Sequence, residues 1–193
     1  MSTDTRSVEV GTDGAAWPVD TVRVVALGGI ALLISAYASV FYSFVDIAPT
    51  DPIAFLAVAA GTLLAATALS SRLDVRTATA VAAVLLTVGL AVYIVSLPRR
   101  PPVVPLLTDA VVLMTGRSLL QVTNVDLWVL GVAPAPLFLT WYLALRRRYV
   151  SAVLAGGAAL GFVVLTGDAA NATALVGVVG AITAVAVGDM DRR

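Results

Sequence analysis

The sequence predicts an all-α, polytopic integral membrane bundle of six transmembrane helices with one interfacial or re-entrant outer helix. Six runs, 24–45, 53–71, 77–97, 127–145, 149–167 and 169–188, contain no Asp, Glu or Arg and are each 19 to 22 residues long. At about 1.5 Å of rise per residue, that length matches a hydrocarbon layer about 30 Å thick. The composition agrees, with 60% hydrophobic residues, 12% charged and a mean hydropathy of +0.98, whereas a soluble domain carries about 25% charged residues. Helix breakers and charges fall between the runs.

Residues 1–20 are rich in Ser, Thr, Asp and Gly and lack an apolar period, so they read as a disordered tail ahead of a membrane domain over 21–193. The first run is too long for a signal-peptide core and follows an acidic leader, so 24–45 is expected to stay as a span. Asp46, Pro49, Asp51 and Pro52 make the first turn. The second run carries Ala57, Gly61 and Ala65, and the fifth Gly157 and Gly161. Small residues at four-residue spacing let helix backbones approach closely in lipid, within one chain or between copies. The second and third runs are joined by a turn bearing Arg72 and Arg76, and Pro98, Pro101, Pro102 and Pro105 close the third.

The connector 98–126 is the irregular part, apolar in places yet carrying Asp109, Arg117 and Gln121. A charge at a helix centre costs about 2.5–3.5 kcal/mol on insertion scales, which disfavours a lipid-exposed span there. Asp109 and Arg117 are candidate functional residues, facing the bundle or an outer cavity, against the plainer reading of charges meeting headgroups and water. Eight residues apart, about 12 Å along a helix, they are not an intrahelical ion pair. In the fourth run Pro134 and Pro136 remove backbone donors and crowd the preceding turn, which predicts a kink. Arg146, Arg147 and Arg148 separate the fourth and fifth runs.

Those arginines set the expected orientation. With six crossings and both termini in the cytoplasm, nine of twelve arginines lie inside and Arg99, Arg100 and Arg117 outside, as the retention of basic residues on the cytoplasmic side requires. The triple arginine is the strongest anchor. Trp141, Tyr142 and Tyr149 are expected at the inner interface and Phe41, Tyr42 and Phe44 at the outer one.

The chain has no Cys, His or Lys. That removes thiolate and imidazole nucleophile pairs, Schiff-base lysines, disulfides and the usual soft metal ligands. No catalytic, cofactor or metal residues are expected. Asp168, after Gly167, lacks the second carboxylate that aspartyl chemistry shares its proton with. A net charge of zero gives no nucleic-acid footprint. All basic residues are Arg and eleven of twelve acids are Asp, a bias resembling chains of high-GC halophilic microbes.

The stretch APAPLFLTWYLALRRRY from Ala133, with GGAALGFVVLTGDA and TALVGVVGAITAVAVGD after it, resembles the N-terminal membrane region of transglutaminase-like membrane proteins of the TgpA type. The resemblance implies a multi-span region ahead of an extracytoplasmic domain with a Cys-His-Asp triad. None of that triad maps onto this chain. A domain outside the cell directly after this region would need an odd number of crossings, so either a further span follows Arg192-Arg193 or 101–121 crosses. The expectation is a non-catalytic membrane module that anchors or scaffolds an extracytoplasmic domain or partner, with the lipid bilayer as its surroundings. A small transporter or channel subunit is the alternative, and the residues leave the oligomeric state open.

Overall fold

A computed structural model describes residues 19–47, 51–97, 107, 111 and 124–190. Among them every regular element is an α-helix: α1 Val19–Ile47, α2 Pro52–Leu69, α3 Val75–Ser96, α4 Val125–Val132, α5 Pro134–Leu145, α6 Tyr149–Leu165 and α7 Asn171–Met190. Helices α1, α2, α3 and α7, and α4–α5 taken together, are long and apolar enough to cross a membrane, and α6 is a shorter apolar helix of 17 residues. Its length sits at the short end of the ~17–25 residues that span a bilayer. The chain is a multi-pass membrane protein. Residues 1–18 of the expected tail and most of the connector 98–126 lie outside the described residues. Helix α1 starts at Val19, inside the expected tail.

Local chemistry explains the helix ends. Asp51 caps α2, its side chain accepting from Ile53 N at 2.9 Å, with Pro52 in the first turn where a missing N–H is harmless. Asp74 caps α3, accepting from Thr77 N at 3.3 Å and from the Thr77 hydroxyl. The Thr77 hydroxyl bond, reinforced by backbone donors, holds the Asp74 carboxyl below its usual range on this exposed turn. A depressed native pKa means that the cap's contribution is complete above the unfolded value of about 4 and is lost as pH falls through the native value. In detergent melts, Asp74→Ala is expected to lower the melting temperature at neutral pH. Asp74→Asn, which still caps, should flatten the acid-side loss; an acid profile identical to wild type would contradict this role.

Two tight turns use the same C-terminal device. After α6, Gly167 adopts φ 74°, its N–H donating to Val164 O at 3.0 Å while Asp168 N reaches Val163 O at 3.1 Å. After α5, Arg147 takes the equivalent left-handed position at φ 57°, donating to Ala144 O, with Arg148 N bonded to Leu143 O, both at 2.9 Å. Glycine favours this site, and a residue with a Cβ costs about 1–2 kcal/mol there. The turn therefore carries a strained arginine at the C-terminal end of α5, where positive charge is favourable.

The centre of the bundle is α1 and α4–α5. Half of the α1 span and 56% of the α4–α5 span are buried, against 11% for α2 and 22% for α3 and α7. Helix α1 packs on α7, α6, α5, α4 and α2, while α5 also holds α2, α3 and α6. These central helices carry large side chains that fill the interior, among them Tyr37, Phe41, Phe138 and Tyr142. Tyr37 meets Phe41 edge-on at 6.1 Å, and Phe138 stacks on Tyr142 at 5.9 Å, geometries that suit the ring quadrupole.

Two sequence expectations need correction here. Phe41, Phe44, Tyr142 and Tyr149 stand toward the span ends but are buried against neighbouring helices instead of facing outward. Within the chain the small residues Ala57, Gly61 and Ala65 are exposed on α2, and a Cβ at Gly61, Gly157 or Gly161 would meet nothing within 4 Å, so of the two expected uses only packing between helices of one chain is corrected. The close approaches occur elsewhere. A Cβ on Gly29 of α1 would lie 2.6 Å from Gly180 O and 2.8 Å from Ala184 N of α7. One on Gly131 of α4 would lie 2.7 Å from Gly89 O of α3. Backbone meets backbone at both crossings, which only glycine permits.

Helix α4 gives way to α5 at Ala133, just before Pro134, yet Ala133 keeps helical angles of φ −57° and ψ −36°. Ala133 N still donates to Val129 O at 2.9 Å, and Leu137 N to Ala133 O at 3.2 Å. Val125–Leu145 thus continues as one span, interrupted only where Pro134 and Pro136 have no N–H to give.

Candidate functional site

The antiparallel order of the helices sorts the charges by end. The α2–α3 and α5–α6 turns share one end with the start of α1, gathering Arg23, Arg72, Arg76, Arg146, Arg147 and Arg148, with Asp74 and Asp189. At the opposite end the described charged residues are Asp46, Asp51, Asp126 and Asp168. The described spans carry no charge between these ends.

At the arginine end, α5 grips the α2–α3 turn. The Tyr142 hydroxyl donates to Leu73 O at 2.7 Å, Trp141 Nε1 to Thr67 Oγ1 at 2.9 Å, and Arg146 to Ser70 O at 3.4 Å. The three donors stand at and just after the last turns of α5, and their acceptors span the end of α2 and the turn that follows it. Arg146, expected as a topology anchor, thus also ties the α5–α6 turn to the α2–α3 turn. Sequence reasoning placed Trp141 and Tyr142 near this end but offered no signal for their partners, which lie about seventy residues away.

Above this end lies an apolar cleft of about 500 Å³ between α3 and α6, floored by α4–α5 and by Phe41 of α1. Ala82, Ala83, Ala155, Ala158 and Ala159 line its flanks, and Thr79 is its one hydroxyl-bearing residue. That hydroxyl is already used, donating to Val75 O at 2.9 Å. Trp128 and Phe162, stacked at 5.8 Å, stand at the end farthest from the arginines. Pro136 lines the floor. A proline lacks the N–H that would tie it to the preceding turn, so the floor of the cleft is also where α4–α5 loses hydrogen bonds.

Deeper in the bundle, Tyr37 of α1 and Thr140 of α5 are fully buried with their hydroxyls turned toward each other, and neither makes a hydrogen bond of good geometry among the described residues. Neither was singled out from the sequence, because a Tyr or Thr in an apolar run carries no sign of which way it faces. The candidates Asp109 and Arg117 lie outside the described residues. Among the described residues no cluster of three or more carboxylates could hold a metal ion. Compared with family models, with curated proteins and with solved structures, the chain finds no match in any of the three.

Proposed function

We propose that this chain is a non-catalytic multi-pass module of the cell membrane that anchors or scaffolds an extracytoplasmic domain or partner. The kinship with transglutaminase-like membrane proteins belongs to the same reading, and the arginine end faces the cytoplasm. One observation carries it: the described Asp and Arg side chains stand at the helix ends, while the interior is filled mainly by aromatic, aliphatic and glycine contacts. Carriers coupled to protons or cations place charged groups at mid-membrane, so a closely crossed bundle with its described charges at the ends suits a fixed support better. The cytoplasmic assignment rests on the positive-inside bias acting on Arg72, Arg76 and Arg146–Arg148.

The test combines labelling, flux and association. In this cysteine-free chain, Ser71→Cys is expected to be shielded from a membrane-impermeant maleimide in intact cells and Asn171→Cys to react. Proteoliposomes should pass protons and sodium no faster than empty vesicles. A transglutaminase-like domain encoded beside the chain should co-purify with it. Reversed labelling would overturn the orientation. Flux above the empty-vesicle rate, or no association with that domain, would overturn the scaffold.

A further inference from the structure

We infer that the cleft between α3 and α6 is a binding site for an anionic phospholipid, with an acyl chain in the groove and its phosphate held by Arg76 and Arg148. The first support is shape. Along α3 the lining runs from Thr79 to Leu86, about 10 Å of helix beginning one turn from the arginine end, which falls mostly in the nearer half of a ~30 Å hydrocarbon layer, while the floor on α4–α5, from Leu139 to Trp128, continues past the midplane. The cleft volume of about 500 Å³ falls in the ~300–1,000 Å³ range of small-ligand sites. Alanines on both flanks leave a smooth channel, and the sole lining hydroxyl is turned back on its own helix, so the groove offers a guest only apolar contact.

The second support is charge at the same end of both flanking helices, placed in helical register with the groove on α3. On α3 the lining residues Thr79, Ala82, Ala83 and Leu86 form a single face, and Arg76 sits three residues before Thr79 on the same face. On α6 the lining starts at Ala155, and Arg148 immediately precedes the helix, seven residues earlier. Both arginines are exposed; Asp74, two residues from Arg76, is engaged by Thr77, and Asp189 of α7 lies beside Tyr149 and Val150, the residues that follow Arg148. The two helices that flank the groove therefore each carry a guanidinium at the same end of the bundle. Guanidinium pairs a phosphate through forked hydrogen bonds, and basic pockets between helices are where acidic headgroups settle. A second copy or a partner helix would fill the groove without needing this cationic entrance, which is why a lipid is favoured.

Native mass spectrometry of the detergent-purified full chain, titrated with dioleoyl phosphatidylglycerol or dioleoyl phosphatidylcholine, tests the site. The expected result is retention of one phosphatidylglycerol in preference to phosphatidylcholine. Arg76→Gln and Arg148→Gln, both at exposed positions, should each cut that preference roughly fivefold. Ala83→Phe with Ala158→Phe, which fill the groove, should abolish retention of that lipid, while Val179→Phe on the outer face of α7 should not. Equal retention of the two lipids, preference unaltered by the arginine changes, or retention surviving in the filled groove would each overturn the proposal. So would a lipid-free dimer that the groove-filling changes dissociate.

Discussion

Gly89→Val is expected to unfold the bundle or lower its stability by roughly 3 kcal/mol, the upper end of the overpacking range, while Gly61→Ala leaves it unchanged or slightly firmer. At the α3–α4 crossing the atoms opposing a Gly89 side chain are the backbone of Gly131, and the reciprocal Cβ on Gly131 would sit 2.7 Å from Gly89 O and 2.9 Å from its carbonyl carbon. A side-chain neighbour could rotate away, but two helix backbones can only separate. Separation forfeits the contacts that hold helices together in lipid, where no hydrophobic drive remains between them. Gly29 at the α1–α7 crossing should behave in the same way. Gly61 faces open space, so alanine there brings only its better helix propensity, about 1 kcal/mol at most. Equilibrium unfolding in mixed micelles, followed by tryptophan fluorescence, distinguishes the two glycine classes. Equal sensitivity at Gly89 and Gly61 would mean that the crossing is misplaced.

Tyr142→Ala should destabilise the fold by about 3–5 kcal/mol, as loss of a buried aromatic does, and Tyr142→Phe by about 1 kcal/mol, the net value of one hydrogen bond. The side chain is fully buried, stacks on Phe138 and carries the hydroxyl that holds Leu73 O. Removing the ring opens the contact between α5 and the α2–α3 turn; removing only the hydroxyl leaves Trp141 and Arg146 still bonded to Thr67 and Ser70. Hydrogen exchange across residues 70–74 is the second readout. It should quicken in Tyr142→Phe with little change elsewhere, because the lost bond belongs to that turn. Unchanged exchange there would show that the grip of α5 on the turn is not what orders it.

The helices themselves were legible in the chain, and the physical basis is the solvent. A span must cover about 30 Å without leaving polar groups in hydrocarbon, so the run 53–71 corresponds to Pro52–Leu69 and 77–97 to Val75–Ser96. Charge position was equally plain: the arginines between spans four and five, and between two and three, had to share one end of an antiparallel bundle. The corrections concern what lies between the ends. Phe41 and Tyr142 looked like interfacial aromatics because they stand near charged turns, yet neighbouring helices bury them. Gly61 and Gly157 looked like packing glycines because of their spacing, yet Gly29, Gly89, Gly131 and Gly180 hold the crossings within the chain.

In a soluble helix the buried face announces itself by an apolar stripe against a polar one. Here the outward faces bear Leu64, Val95 and Ile182, at 70%, 69% and 62% exposure, and these are as apolar as the core. Lipid and protein interior make the same demand on a side chain, so the sequence by itself determined that helices form, where they end and which turns gather the arginines. Which residue faces which neighbour was decided only in the tertiary structure. There the pairing of α1 with α7, the seating of α4–α5 at the centre and the opening of the α3–α6 cleft follow from shape complementarity, a property of surfaces brought together from distant parts of the chain.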